Sequence, residues 1–306
     1  MLALKNLAEN TTIFSRSVRL MGTEFNFDLV TDNAVWALQR IESAVNEINR
    51  IEKLLSTFNE ESSINLINRN AGIAPVKVDA ETFKLIDRAI QISALTYGSF
   101  DIAYGIPASK EHEGTVVIKT RTLKKKISLT NYTNIDLDQA KQTVFLKNTN
   151  MRISLSALAR GYAADKAKVT LQMEGVSSGV INIAGDLLTW GLQPDGSAWT
   201  IAAADSTKAN EIYSHVEISN MAVVTSVNPD LVANRAVINA ESGFPVSAIK
   251  SISIISPTAE LSGAMTGPMF GMGINTGLYL VNKLNQIACI AVDDHERVYT
   301  SKHIKL

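Results

Sequence analysis

With 306 residues, 46% of them apolar and 19% charged, the chain has enough sequence for one large or two medium domains and is too apolar for disorder. A net charge of −1 removes the electrostatic case for nucleic acid or an anionic membrane surface as a partner. The lone cysteine, Cys289, lies in the apolar run IACIAV, which excludes an intramolecular disulfide and predicts a buried thiol.

The opening MLALKNLAENTT has too short an apolar segment for a signal peptide and no lipid-bearing cysteine. A cytoplasmic chain, or one numbered without its leader, is expected. No stretch approaches the roughly 20 apolar residues of a transmembrane helix. A first strand is predicted over Ile13–Val30, where Arg16, Val18 and Leu20 alternate ahead of Met21-Gly22-Thr23. Asn33–Leu55 reads as an amphipathic helix, with Trp36, Ala37, Ile41, Ala44, Val45, Ile48, Ile51 and Leu55 on one face. A polar loop at Asn59–Ser63 follows, then a helix over Ala80–Leu95 that stops at Tyr97-Gly98. The glycine- and proline-marked segment GSFDIAYGIPAS is a loop, and residues 113–155 read as short strands separated by turns. The run Lys124-Lys125-Lys126 is expected to be a solvated turn or edge strand.

The second half opens on Ile153–Asp165, a short strand, a small-residue turn and then a helix predicted to reach Glu174. Such a junction leaves backbone N–H groups facing outward, a natural phosphate site. Strands are predicted at Gly179–Ile183, Leu187–Leu192, around Trp199–Ala204 and at Ser251–Ile255. A helix then starts with Ser256 as N-cap and Pro257 at its first position, and Gly267-Pro268 is expected to bend or end it. A last helix, Thr276–Leu284, and a closing strand, Ile287–Val292, complete the chain. The irregular alternation predicts an α+β, or mixed α/β, architecture: a single domain over 1–306, with possible lobes at 13–155 and 156–306.

Seven short motifs occur in one order. They are Met21-Gly22-Thr23; Ser56-Thr57-Phe58 with Ser62 and Asn68; Gly98-Ser99-Phe100-Asp101; Ala157–Asp165 (ALARGYAAD); Asn182 with Gly185-Asp186; Thr225-Ser226; and Gly243-Phe244-Pro245-Val246. Together they resemble the FAD:protein FMN transferases, the ApbE family. The resemblance implies two packed lobes around a flavin cleft, with FAD as substrate or ligand. It also implies transfer of FMN to a Ser or Thr of an acceptor protein with the help of Mg²⁺. Carried over residue by residue, Met21, Phe58, Ser99, Phe100, Asp101, Arg160 and Asp165 would line the flavin site. The Ala157 carbonyl, the position of Ser262, and Thr266 would hold the metal, and Thr266 and Asp186 would carry the chemistry. Relatives are often exported and membrane-anchored.

The chain departs from the family's pattern at the metal. The family's aspartate is Ser262 here, and two hydroxyls with a carbonyl make a poor magnesium site because the ion usually needs a carboxylate. The acid before the ALARGYAAD helix is Ser154, Val227 stands for the glycine of "T-S-G", and Ala236 and Asn239 stand for a histidine and an aspartate. Three readings follow: an active transferase, a flavin-binding homologue that no longer cuts FAD, or a scaffold for interactions. His112, His215, His295 and His303 show no ligand spacing.

Overall fold

The computed structural model describes residues 12–105, 131–204, 212–228, 249–302 and 304. Lys124-Lys125-Lys126, the 236–246 motif residues, His112, His303 and the first eleven residues lie outside that set. The expected mix of helix and sheet is observed. The chain divides into two compact units. One joins the chain up to Asn49 with the part from Arg160 onward, and the other spans Arg50–Ala159.

The first unit is built on an eight-stranded sheet: β1 (Thr12–Leu20), β2 (Thr23–Thr31), β8 (Gly179–Ile183), β9 (Asp186–Trp190), β12 (Ala222–Val227), β13 (Ile249–Ser256), β14 (Ala288–Asp293) and β15 (Val298–Thr300), in that spatial order and antiparallel throughout. The single strand expected over Ile13–Val30 is in fact the β1–β2 hairpin. Leu20 pairs with Thr23, and Met21 and Gly22 take φ values of 50° and 77°, the left-handed pair that lets a two-residue turn match strand twist. Ala184 and Gly185 turn β8 into β9 the same way, at φ 51° and 106°. Alternation along β2 buries Phe25, Phe27 and Leu29 completely. Helix α5 (Ala259–Val281) packs on β12 and β13. On the opposite face Ile218, Val223, Ile255 and Ala288 form a second core. Trp199, Ile201 and Val216, from the hairpin of β10 (Thr200–Ala204) and β11 (Ile212–Glu217) and the residue before it, pack against that core.

The start of α5 differs from expectation. Its N-cap is Thr258, whose Oγ1 accepts from Leu261 N at 3.3 Å, while Ser256 ends β13 and donates to the Thr258 carbonyl at 2.9 Å. The helix also runs through Pro268. Its break falls at Gly273 (φ 76°, ψ 166°), a conformation glycine adopts without a Cβ penalty, and the expected last helix is the segment beyond that break. No helix among the described residues is long and apolar enough to cross a membrane.

The second unit holds α2 (Ser63–Arg69), α3 (Ala80–Leu95), a three-stranded sheet of β3 (Val76–Lys77), β6 (Thr143–Leu146) and β5 (Ile135–Asp138), and the pair β4 (Ala103–Gly105) and β7 (Met151–Ile153). The helix α2 stands beside what reads as a polar loop, and Ser62 caps it by accepting from Asn65 N at 3.1 Å. Asn68, buried on α2, donates to Ile153 O at 3.0 Å and accepts from Ile153 N at 2.7 Å. Asn68→Leu therefore leaves a buried N–H and a buried C=O of β7 without partners. A loss of about 2–4 kcal/mol in urea unfolding is expected. Two helices carry chain through both unit definitions: α1 (Ala34–Leu55), whose Ala37, Ile41, Ala44, Val45, Ile48, Ile51 and Leu55 are buried as the spacing predicts, and α4 (Ser156–Met173).

Candidate functional site

In the first unit, α4 presents Arg160 to solvent and turns Asp165 inward. The Asp165 carboxylate is committed: Oδ1 accepts from Ala259 N and Oδ2 from Glu260 N, both at 2.9 Å. Burial pushes its carboxyl up to about 6 against the pull of those two N–H groups, with Glu260 adding to the rise and Lys168 opposing it. The carboxylate that the resemblance places at the flavin thus accepts two bonds from the protein's own helix.

This geometry has a consequence for stability. The folded state holds the Asp165 proton more tightly than the unfolded chain, so the group favours folding most below pH 4, and that contribution is lost as pH rises through about 6. Relative to Asp165→Asn, wild type is expected to gain about 2 kcal/mol in unfolding free energy between pH 7 and pH 4. Denaturant titrations of both proteins across that range check it. A difference that stays flat contradicts the assignment.

At the start of β9, Asp186 Oδ1 accepts from Thr225 N at 3.0 Å, and Thr225 Oγ1 lies 2.8 Å from Ser253 Oγ across the β12–β13 pairing. Burial raises the Asp186 carboxyl, while the Thr225 N–H and the charge of Arg160 pull it back. The structure therefore brings Arg160 and Asp186 into one electrostatic neighbourhood. Ser253 was invisible in sequence, since its only signal is a serine recurring at alternate positions, 251 and 253, in an apolar strand.

Ser262 and Thr266 lie one turn apart on α5, but both hydroxyls are spent on the protein. Ser262 is fully buried, shares a 2.8 Å hydrogen bond with Ser256 Oγ and donates to Ala222 O at 3.3 Å. Thr266, 4% exposed, donates to Gly263 O at 3.1 Å and makes no hydrogen bond to Asp186 among the described residues. This donor set does not fit magnesium, because neither position offers a carboxylate and each oxygen already has a partner. The acidic and imidazole groups close enough to share an ion among the described residues are Asp293, Asp294 and His295. There Asp293 is occupied by Arg297 and Tyr299.

Met21 sits in the β1–β2 turn of the first unit, partly buried. In the second unit, Phe58 is 99% exposed, so its ring takes no part in the core. Ser99 is exposed, whereas Phe100 is buried and donates its N–H to Thr96 Oγ1. Asp101 shapes its own loop, with Oδ1 accepting from Ala103 N at 2.8 Å and Oδ2 from Tyr132 N at 3.0 Å. Burial nevertheless leaves its carboxyl above the usual range. Ala157 is exposed in the first turn of α4.

Known proteins share this fold. An FAD:protein FMN transferase of Klebsiella pneumoniae is 26% identical over 306 residues, covering 96% of this chain and 93% of that protein. One of Haemophilus influenzae is 21% identical, covering 93% and 88%. Among solved structures, the flavin transferase ApbE of Vibrio cholerae superposes with a TM-score of 0.75 at 20% identity, over 95% of this chain and 98% of that one. The apo flavinyl transferase ApbE of Pseudomonas stutzeri gives 0.75 at 21% identity, over 96% and 97%. These likenesses establish a common fold. The model of the ApbE family matches residues 21–291, and the chain belongs to that family.

Proposed function

We propose that this chain is an FAD:protein FMN transferase. The observation that carries the reading is its relationship, along nearly its whole length, to proteins of that activity. In the reaction a Ser or Thr hydroxyl of the acceptor attacks the FMN-side phosphorus of FAD. The new P–O bond forms as the bond to AMP breaks, and the hydroxyl proton passes to a base. Phosphoryl transfer asks the protein mainly for positioning and charge neutralisation.

Three residues of the first unit supply this in our reading. Arg160, exposed on α4, pairs with the FAD pyrophosphate, and a guanidinium does so as a bidentate fork where the family's lysine acts as a point charge. Asp186 takes the hydroxyl proton, and its raised carboxyl moves it toward the working range of a general base. Thr266 lends its hydroxyl to the departing phosphate side by turning its O–H away from the Gly263 carbonyl. Flavin contact by Met21, Phe58, Ser99, Phe100 and Asp101 is what the resemblance implies. An exposed ring such as Phe58 is free to stack on an aromatic ligand.

Arg160→Ala is expected to raise KM for FAD about 10- to 100-fold, the loss of one charge-assisted phosphate contact, while Arg160→Lys restores most of it. The reading itself is tested by mixing the chain with FAD and a protein extract as acceptor pool, with and without Mg²⁺, and assaying AMP. Release of AMP supports it; FAD bound and recovered intact in both conditions overturns it.

A further inference from the structure

The helices α4 and α5 meet at one small junction. Gly161 and Asp165, one turn apart on α4, both face the first two residues of α5. A Cβ built on Gly161 would crowd the Ala259 carbonyl oxygen and lie 2.5 Å from Ala259 C and 2.7 Å from Glu260 N. Only a residue without a side chain allows that approach. Asp165 then closes the junction with its two 2.9 Å bonds to Ala259 N and Glu260 N. Thr258 Oγ1 takes Leu261 N. The first three N–H groups of α5, which a free helix N-terminus would offer to an anion, are therefore all consumed by protein.

We propose that Asp165, admitted by Gly161, is a positioning residue that fixes the start of α5, and thereby Ser262 and Thr266, against the segment of α4 that carries Arg160, without touching the flavin. The inference rests on the transferase reading for its catalytic consequence. Arg160 adjoins Gly161, and Ser262 begins two residues after Glu260, so a shift at the junction moves both groups relative to each other. The carboxylate is kept ionisable in a partly buried place with Glu260 beside it, a cost that a purely structural contact has no need to bear.

The test uses the full chain and three variants: Asp165→Asn, Asp165→Glu and Gly161→Ala. For each, kcat for AMP release, the Kd for FAD from flavin fluorescence, and amide hydrogen exchange of residues 259–261 are measured. Asparagine can accept only one of the two bonds, so kcat is expected to fall at least about tenfold with Kd changed less than about twofold, and exchange at 259 and 260 to accelerate. Gly161→Ala gives the same pattern, and Asp165→Glu recovers most of the rate. An Asp165→Asn protein that binds FAD about tenfold more weakly and turns over normally at saturation overturns the proposal in favour of a ligand role. Unchanged kcat and unchanged exchange overturn it too. Should the variants not fold, exchange in wild type decides: amides 259 and 260 are protected with the body of α4, and fraying at the rate of a free helix end overturns the proposal. Absence of AMP from wild type is the separate failure of the transferase reading, and the exchange result still decides whether the junction exists.

Discussion

Asp186→Asn is expected to lower kcat for AMP release by about two to four orders of magnitude, the range over which a positioned general base of the kind proposed for Asp186 contributes. The substitution keeps the shape, and its amide oxygen can still accept from Thr225 N, so strand pairing at β9 and β12 survives. What disappears is the proton acceptor. FAD affinity is expected to rise or stay level, because a negative charge that acts on Arg160 is removed. In wild type, activity falls on acidification as Asp186 takes up its proton. Burial has raised that group, so the fall begins above the ordinary carboxylate range near 4. The variant lacks the part of that fall that belongs to Asp186. Rate profiles of both proteins, with FAD saturating, check the two statements together.

The second large effect concerns the fold. Trp190, at the end of β9, is fully buried, and its indole N–H donates to Val176 O at 3.0 Å. Gly179 pairs opposite it, and a Cβ there would come within 2.8 Å of the ring, so the strand is glycine to make room for tryptophan. Trp190→Ala opens a cavity and leaves the Val176 carbonyl alone. The two costs together amount to about 4–6 kcal/mol, most of the stability of an ordinary domain. The expected result is a urea midpoint so low that the variant is part-unfolded at 37 °C. A midpoint within about 1 kcal/mol of wild type contradicts the packing described here.

Periodicity carried the helices well. The stripe from Ala37 to Leu55 and the Asp79-capped Ala80–Leu95 helix follow from spacing because each buries one face along many turns. It failed where the decisive event is a turn or a few residues. Met21-Gly22 carries no Asn-Gly or Asp-Gly pair, so the β1–β2 hairpin hides inside one alternating run. The helix α2 has two buried isoleucines, Ile64 and Ile67, too short a stripe to register. The start of α5 was misread because Ser256-Pro257 is as good a capping signal as Thr258, and pairing of Ser256 with Ala222 in the sheet outweighs it.

The candidate site was legible as a set of residues, much less as a set of contacts. The charge of Arg160, on α4, acts on Asp186, at the start of β9, through tertiary structure that no local pattern encodes. Asp165 is the clearest case. In sequence it is one more acid in a nucleotide-site motif, and its partners lie 94 and 95 residues away as backbone N–H groups. Ser262 also changes meaning in three dimensions: it occupies a ligand position by motif, yet its hydroxyl closes a buried bond with Ser256.

The central claim is covalent transfer of FMN with loss of AMP, and one stoichiometric assay addresses it. The purified chain is incubated with FAD and Mg²⁺ in a protein extract serving as acceptor pool, and reactions lacking the chain are subtracted. AMP is quantified beside flavin fluorescence that stays with protein through acid precipitation. One AMP is expected for each covalently held flavin, with the flavin on Ser or Thr. Flavin that washes out with no AMP formed would contradict it.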